Sequence, residues 1–103
     1  RQLKATKKQI AGNVIRIDRF GNAITNIDQE IFNILQKEQG FAVKFGRETI
    51  STIHSGYASV EPGECFVVFN SNGFLEIGIN KGSATELMGL DFDAPVMINF
   101  DEE

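Results

Sequence analysis

The sequence predicts a mainly β fold: a small closed antiparallel β-barrel of about seven short strands with one or two short helices. Three observations lead there. Short runs of β-branched and aromatic residues recur along the 103 residues. Turn residues separate them, so neighbouring runs can pair as consecutive hairpins. Helix signals are confined to two brief stretches. Closing such a sheet on itself removes its exposed edges.

The elements read in order. Residues 1–9 are polar and read as a linker or disordered start, with residues 10–103 as the barrel domain. From Ile10 the pattern is strand-like, and Val14, Ile15 and Ile17 are β-branched. Asp18-Arg19-Phe20-Gly21-Asn22 ends that run, and Ala23 to Ile27 is a second strand. Asp28 can cap a helix over Gln29 to Glu38, with Ile31, Ile34 and Leu35 as its buried stripe and Gly40 as its stop. Phe41, Val43 and Phe45 alternate with Ala42 and Lys44, and Thr49 to Ile53 completes a hairpin across Gly46-Arg47. After the turn Glu61-Pro62-Gly63-Glu64 comes an unbroken apolar run, Cys65 to Phe69. Because strand side chains alternate, both faces of that strand must be covered, the outer one by another element, domain or subunit. Asn72-Gly73 then makes a hairpin to a strand at 74–79. Leu75, Ile77 and Ile79 share one face of it; Phe74, Glu76 and Gly78 share the other. Ser83-Ala84-Thr85-Glu86 is a capping box, Gly89 ends its helical turn, and Val96, Ile98 and Phe100 form a last strand after Pro95.

Composition narrows the function classes. Hydrophobic residues make 42% and charged residues 23%, as in ordinary globular domains. Net charge is −4, and a phosphate-backbone binder needs clustered cations instead. Lys4, Lys7 and Lys8 read as a solvated linker, and Asp101-Glu102-Glu103 as a solubilising tail. One cysteine, Cys65, allows no disulfide within the chain, as expected in a reducing cytoplasm. No apolar run approaches the ~20 residues of a membrane span. The start Arg-Gln-Leu-Lys-Ala lacks an initiator Met, so the chain reads as a fragment of something longer.

Catalytic constellations are scarce. His54 is the only histidine and reads as a loop residue without an orienting partner. Cys65 sits among aromatics, where a thiol is buried and inert. Metal ligands at suitable spacing and a Gly-rich phosphate loop are lacking. Three segments hold polar and aromatic groups together. In 17–27, Phe20 offers a stacking face and Asn22 a paired donor and acceptor, although a turn built on Gly21 and Asp18 explains the same residues. In 70–84, Phe74 and Glu76 share a face, and Gly78 and Gly82 leave room for close backbone approach. In 55–58, Tyr57 is a stacking ring or a core plug.

These segments, in this order, resemble the C-terminal domain of the S-adenosylmethionine hydroxide adenosyltransferases, a family related to the chlorinases and fluorinases. The matching stretches are 12–22 with Thr25-Asn26-Ile27, then Tyr57, Glu61-Pro62-Gly63-Glu64, Asn70 to Ile77, Gly82-Ser83-Ala84 and Leu87-Met88-Gly89-Leu90. The resemblance implies an α/β N-terminal domain, absent from this chain, that activates water. It implies homotrimers whose substrate lies between one subunit's N-terminal domain and its neighbour's C-terminal domain. The implied reaction is attack of water or hydroxide on the ribose C5′ of S-adenosylmethionine, giving adenosine and methionine with no cofactor. The isolated chain would then be inactive.

Site residues follow from the same resemblance. Asn22 would bond the adenine edge, Phe20 and Tyr57 would pack on the base, and backbone near Asn80-Lys81 would meet the edge from the other side. Asp18 and Ser71 would hold the methionine amine and carboxylate. Glu76 is shared with hydrolase-like members and has no assigned role. Asn72 stands where fluorinases carry Arg, which argues against halogenation. Two further readings compete: an assembly barrel without a ligand, and an OB-like nucleic-acid binder, which needs a basic groove. Neither nucleic acid nor membrane is an expected partner.

Overall fold

The computed structural model describes residues 2–101. Of the acidic tail, Glu102 and Glu103 lie outside the described residues. The strands are β1 (Lys4–Ala5), β2 (Gln9–Ile17), β3 (Ala23–Asp28), β4 (Phe41–Phe45), β5 (Glu48–Ile50), β6 (Cys65–Phe69), β7 (Phe74–Ile79) and β8 (Pro95–Phe100). Helix α1 spans Gln29–Gln36 and α2 Ala84–Met88. The sheet runs β5-β4-β8-β2-β3-β7-β6, with β1 added to β2, and every pairing is antiparallel. The result is a nearly closed, mainly β barrel.

Strand β2 is the hinge of this sheet. Its first half, Gln9 to Asn13, pairs with β8, and its second half, Val14 to Ile17, pairs with β3. The register shifts between Val14 and Arg16, and such a bulge bends a strand from one half-sheet into the next. A second shift lies between Ile24 and Asp28 where β3 meets β7. There the buried Thr25 hydroxyl donates to Leu75 O at 2.9 Å and accepts from Ile27 N–H at 3.1 Å, replacing ladder bonds that the irregularity removes. Inside lies one apolar core, with Ile10, Ile27, Val43, Val67, Leu75, Ile77, Val96 and Ile98 wholly buried.

The two edges, β5 and β6, are joined by a histidine. Beyond β5 the chain crosses to β6, and His54 N–H donates to Val67 O at 2.6 Å. Val67 N–H in turn donates to His54 Nδ1 at 3.1 Å. Since the Val67 carbonyl already receives the His54 amide, the ring accepts at Nδ1 and carries its proton on Nε2. The loop histidine of the sequence reading is thus a barrel seam.

Several expected elements differ. Lys4–Ala5 folds back on Ile10 and Ala11 as β1, so the linker or disordered start expected over residues 1–9 contains a paired strand. The second hairpin strand stops at Ile50, not Ile53, because the chain is drawn off towards β6. Asp28 caps α1 as expected, accepting from Glu30 N–H at 2.8 Å and Ile31 N–H at 3.1 Å. The helix ends at Gln36, however, with Lys37 in the left-handed conformation. Reciprocal side-chain bonds, Gln36 Nε2 to Gln39 O and Gln39 Nε2 to Leu35 O, clamp that end. Gly40 serves packing instead: a side chain there would collide with the Asp101 carboxylate. The helix stripe is also shifted. Ile34 is 62% exposed, while Phe32 is buried among the rings of Phe41, Phe69 and Phe100. Three aromatic contacts from distant strands outweigh one aliphatic position in a local pattern.

Replacing His54 by Ala strips the seam of its side-chain acceptor and leaves a buried N–H on Val67. Unfolding free energy is expected to fall by about 1–3 kcal/mol. Urea unfolding measures this, and an unchanged midpoint would show that the imidazole does not hold the barrel shut.

Candidate functional site

The crossing at His54 carries residues 55–60 over the outer face of β6. A 3₁₀ turn at Tyr57–Ser59 lays the Tyr57 ring edge-on against Phe66, centroids 5.3 Å apart. This turn, with the pocket beside it, covers the outer face of β6, and Phe66 and Val68 are 3% and 2% exposed. The expectation that another element, domain or subunit covers that face is met by an element of the chain itself, the turn that carries Tyr57.

Opposite Tyr57 stands the turn after β2. Asp18 Oδ1 accepts from Phe20 N–H at 2.9 Å and Asn22 N–H at 3.0 Å, and Asp18 N–H donates to Asn22 O at 3.0 Å. This small cage is both a turn and a platform. It leaves Asp18 Oδ2 outside the cage and lifts Phe20 to the surface, 66% exposed, with the Arg19 guanidinium 5.2 Å from its ring centroid. Gly21 permits the closest approach in the site. It has φ +84°, and a side chain there would run into Ser83, the N-cap of α2. Thr85 N–H donates to Gly21 O at 3.1 Å, tying the turn to the helix.

Between these walls lies a cavity of about 590 Å³, the volume of a small-molecule site. Asp18, Phe20, Asn22, Tyr57, Glu76, Asn80 and Lys81 all line it, together with Phe66, Ile79, Gly82 and Ser83. Two expected residues lie elsewhere: neither Ser71 nor Asn72, at the tip of the β6–β7 hairpin, lines it. Asn72 borders a separate recess beside Asp28, Glu30 and Phe74.

The polar floor is ordered. Glu76 is buried on β7, where Oε2 accepts from Asn22 Nδ2 at 3.1 Å and Oε1 from Asn70 Nδ2 at 3.0 Å. Burial, then the Glu76 and Asp18 carboxylates and a hydrogen bond to Glu76, hold the Tyr57 phenol above its usual range, so it stays a donor. The Asn80 backbone is tied into the fold: its amide donates to Glu64 O and its carbonyl accepts from Gly63 N–H, while its side-chain Nδ2 donates to Val60 O at 2.8 Å. Lys81, at φ +60°, follows it with its backbone turned out of the ladder.

Sequence reasoning missed Phe66 as a wall and Asn70 as the second support of Glu76. Alternation along β6 puts Phe66 on the outer face, but only the crossing at His54 makes that face a pocket. The room expected at Gly78 and Gly82 is taken by protein. A side chain at Gly78 would strike the Phe66 ring and Asn22 Oδ1, and one at Gly82 would press on Ile79 and Leu87. Among the described residues, no group of three or more His, Cys, Asp or Glu could hold a metal, and no helix is long and apolar enough to cross a membrane.

Comparison with known proteins finds relatives in sequence and in fold. The family model for the SAM hydroxide adenosyltransferase C-terminal domain matches residues 12–97. An (R)-S-adenosyl-L-methionine hydrolase of Thermus thermophilus is 33% identical over 87 residues, which are 84% of this chain and 31% of that protein. A crystal structure of an uncharacterized conserved protein from Thermotoga maritima superposes with a TM-score of 0.78 at 28% identity, over 96% of this chain and 39% of that one. A conserved hypothetical protein from Thermus thermophilus gives 0.66 at 31% identity, over 88% and 34%. The chain thus spans between 31% and 39% of the length of these relatives.

Cys65 is not among the residues lining the cavity and packs against the barrel core, which gives a separate test of burial. Burial, with a smaller contribution from Glu48, pushes its thiol up to about 11. At pH 8 the thiolate fraction is then lower than in the unfolded chain by about 100-fold. Iodoacetamide is expected to modify the folded protein that much more slowly than the urea-unfolded one. Equal rates would mark Cys65 as a reactive group. Because the folded thiol resists ionisation, its contribution to stability is complete below pH 9 and is lost as pH rises towards 11.

Proposed function

The chain belongs to the SAM hydroxide adenosyltransferase C-terminal domain family, and on that footing we propose that it supplies the nucleoside-binding half of an S-adenosylmethionine hydrolase site. The observation that carries this reading is the gathering, in one cavity, of Asp18, Phe20, Asn22, Tyr57, Glu76, Asn80 and Lys81 from four stretches of the chain.

The cavity suits a purine nucleoside with a cationic substituent. Phe20 and Tyr57 offer ring faces at its rim. Asn22 presents a donor and an acceptor side by side, which an adenine edge requires. With the Asn80 backbone bonded within the fold, that of Lys81 is left to meet the base from the second side. Asp18 keeps Oδ2 for the methionine ammonium, and its charge suits a sulfonium substrate.

The reaction is displacement at the ribose C5′ by water or hydroxide, with methionine leaving and adenosine formed. Such a step needs alignment and water exclusion more than covalent help. This domain aligns the nucleoside, and the N-terminal domain of a neighbouring subunit in a homotrimer activates water. The chain alone is inactive. The exposed Leu87 and Phe92 support burial against such partners. A ligand-free assembly barrel draws on the same exposed residues but leaves the polar floor without a purpose. A nucleic-acid reading fits less well, because Lys7, Lys8 and Lys37 line a different recess from the aromatic cavity.

Titration of the isotope-labelled chain with adenosine, read by amide NMR, tests the proposal. Saturable shifts are expected at Phe20, Asn22, Tyr57 and Lys81. Asn22→Ala is expected to keep a dispersed spectrum and to weaken adenosine by about 10-fold or more. A wild-type spectrum unmoved at ~10 mM adenosine, well beyond ordinary nucleoside-site affinities, would overturn the binding role.

A further inference from the structure

Glu76 is the buried charged group that the binding reading leaves without a task. It is 5% exposed, and its hydrogen-bond partners, Asn22 and Asn70, are neutral. Desolvating a carboxylate opposes folding unless its lone pairs are satisfied, and an apolar residue of similar size would fold at lower cost. A carboxylate here has to be explained by what its two oxygens do.

The two ends of an Asn carboxamide are almost alike in shape and opposite in hydrogen-bond sense, whereas a carboxylate only accepts. Glu76 Oε2 therefore demands Nδ2 of Asn22. That sends Asn22 Oδ1 the other way, above Gly78, where no protein donor meets it among the described residues. Asn70 secures the second oxygen. Its own Oδ1 already accepts from Asn72 N–H and Phe74 N–H, both at 3.0 Å, so only its Nδ2 is left for Glu76. The hairpin turn thus fixes Asn70, Asn70 fixes Glu76, and Glu76 fixes Asn22.

We infer that Glu76 is a positioning residue that sets purine specificity, by locking the Asn22 carboxamide with Oδ1 as an acceptor and so selecting a 6-amino over a 6-keto purine. The inference rests on the reading that Asn22 meets the purine edge. A 6-amino purine presents a donor beside the N7 acceptor and matches the locked amide; a 6-keto purine presents two acceptors. Opposite a locked Oδ1 the keto oxygen faces another acceptor, and a buried polar group is left unmatched. An unlocked amide would turn over and tolerate either base.

Adenosine and inosine, which differ at C6 in this sense, are the probes, titrated by amide NMR against wild type, Glu76→Gln, Glu76→Ala and the double variant Asn70→Asp with Glu76→Gln. Wild type is expected to bind inosine about 10-fold or more weakly than adenosine. A glutamine cannot accept from both asparagines. Because Asn70 is held by its turn, the glutamine turns its Nε2 towards Asn22, whose carboxamide turns over to accept it, and the preference for adenosine is expected to be lost or reversed in favour of inosine. Alanine releases Asn22 outright, and the ratio is expected to fall to within about twofold. In the double variant the new aspartate keeps the turn bonds and accepts from the glutamine amide. The glutamine oxygen is then free to hold Asn22 Nδ2 again, and the preference for adenosine returns.

Dispersed amide spectra report folding of each variant. Retention of the wild-type ratio in any folded single variant, equal weakening of both nucleosides, or a double variant that fails to recover overturns the inference. So does a wild type that binds both nucleosides alike. A wild type that binds neither overturns the binding reading itself.

Discussion

Closure of a short, strongly bent sheet is the constraint from which the rest follows. Seven strands run in one path between edges β5 and β6. Strand β5 spans only Glu48–Ile50, too little for a closing ladder. The chain solves this with one residue, whose backbone and ring both bond Val67 across the gap. A seam made this way has a consequence for the surface. It commits the chain to cross over β6, so the segment that follows roofs Phe66 with Tyr57. One wall of the pocket is thus a by-product of barrel closure.

The opposite wall and the floor follow from bends of a different kind. The bulge in β2 turns its second half towards β3 and delivers the Asp18 cage beside β7. There Gly78 lets two strands' side chains share one space, with Phe66 and Asn22 packed over a bare backbone. Polar groups on that floor cannot be left half satisfied, because the surroundings are dry and an unmatched amide or carboxylate is costly there. Each of the three side chains Asn22, Glu76 and Asn70 is consequently bound by the next. The terminal anchor is a pair of backbone N–H groups in the β6–β7 hairpin. Rigidity of the site is therefore borrowed from a turn that the cavity never touches.

Much of this was legible in the sequence wherever the deciding information was local. Period-two alternation located β4, β7 and β8, an unbroken apolar run located β6, and capping residues located both helix starts, because each depends on neighbours within a few positions. What failed was decided at a distance. Phe32 rather than Ile34 faces inward because three rings from β4, β6 and β8 await it. His54 could not be read as a seam without knowing that Val67 faces it, nor β1 as a strand without its partner Ile10–Ala11. In the site, Asn22 was legible as a polar residue beside a strand end and Glu76 as one on a strand face. Their contact, spanning 54 positions, was not legible from spacing or from the family resemblance. Ser71 and Asn72 show the reverse: nearness in sequence to Glu76 did not make them part of the cavity lining, and Asn72 borders a separate recess.

The same contrast bears on how such a domain can serve a reaction whose reactive groups lie elsewhere. Catalysis by alignment requires that the base be held in one orientation, because a rotated or shifted nucleoside moves its C5′ away from the line of attack. Stacking rings such as Phe20 and Tyr57 fix the plane of a base and leave its in-plane rotation open. A bidentate amide closes that freedom only if the amide itself cannot turn over. A serine or a lone asparagine at the floor would bind purines, but either could do so in more than one pose. The buried carboxylate, unfavourable for folding by itself, converts an adaptable amide into a directional one. Its presence is therefore better explained by what it denies the ligand than by what it adds to the barrel.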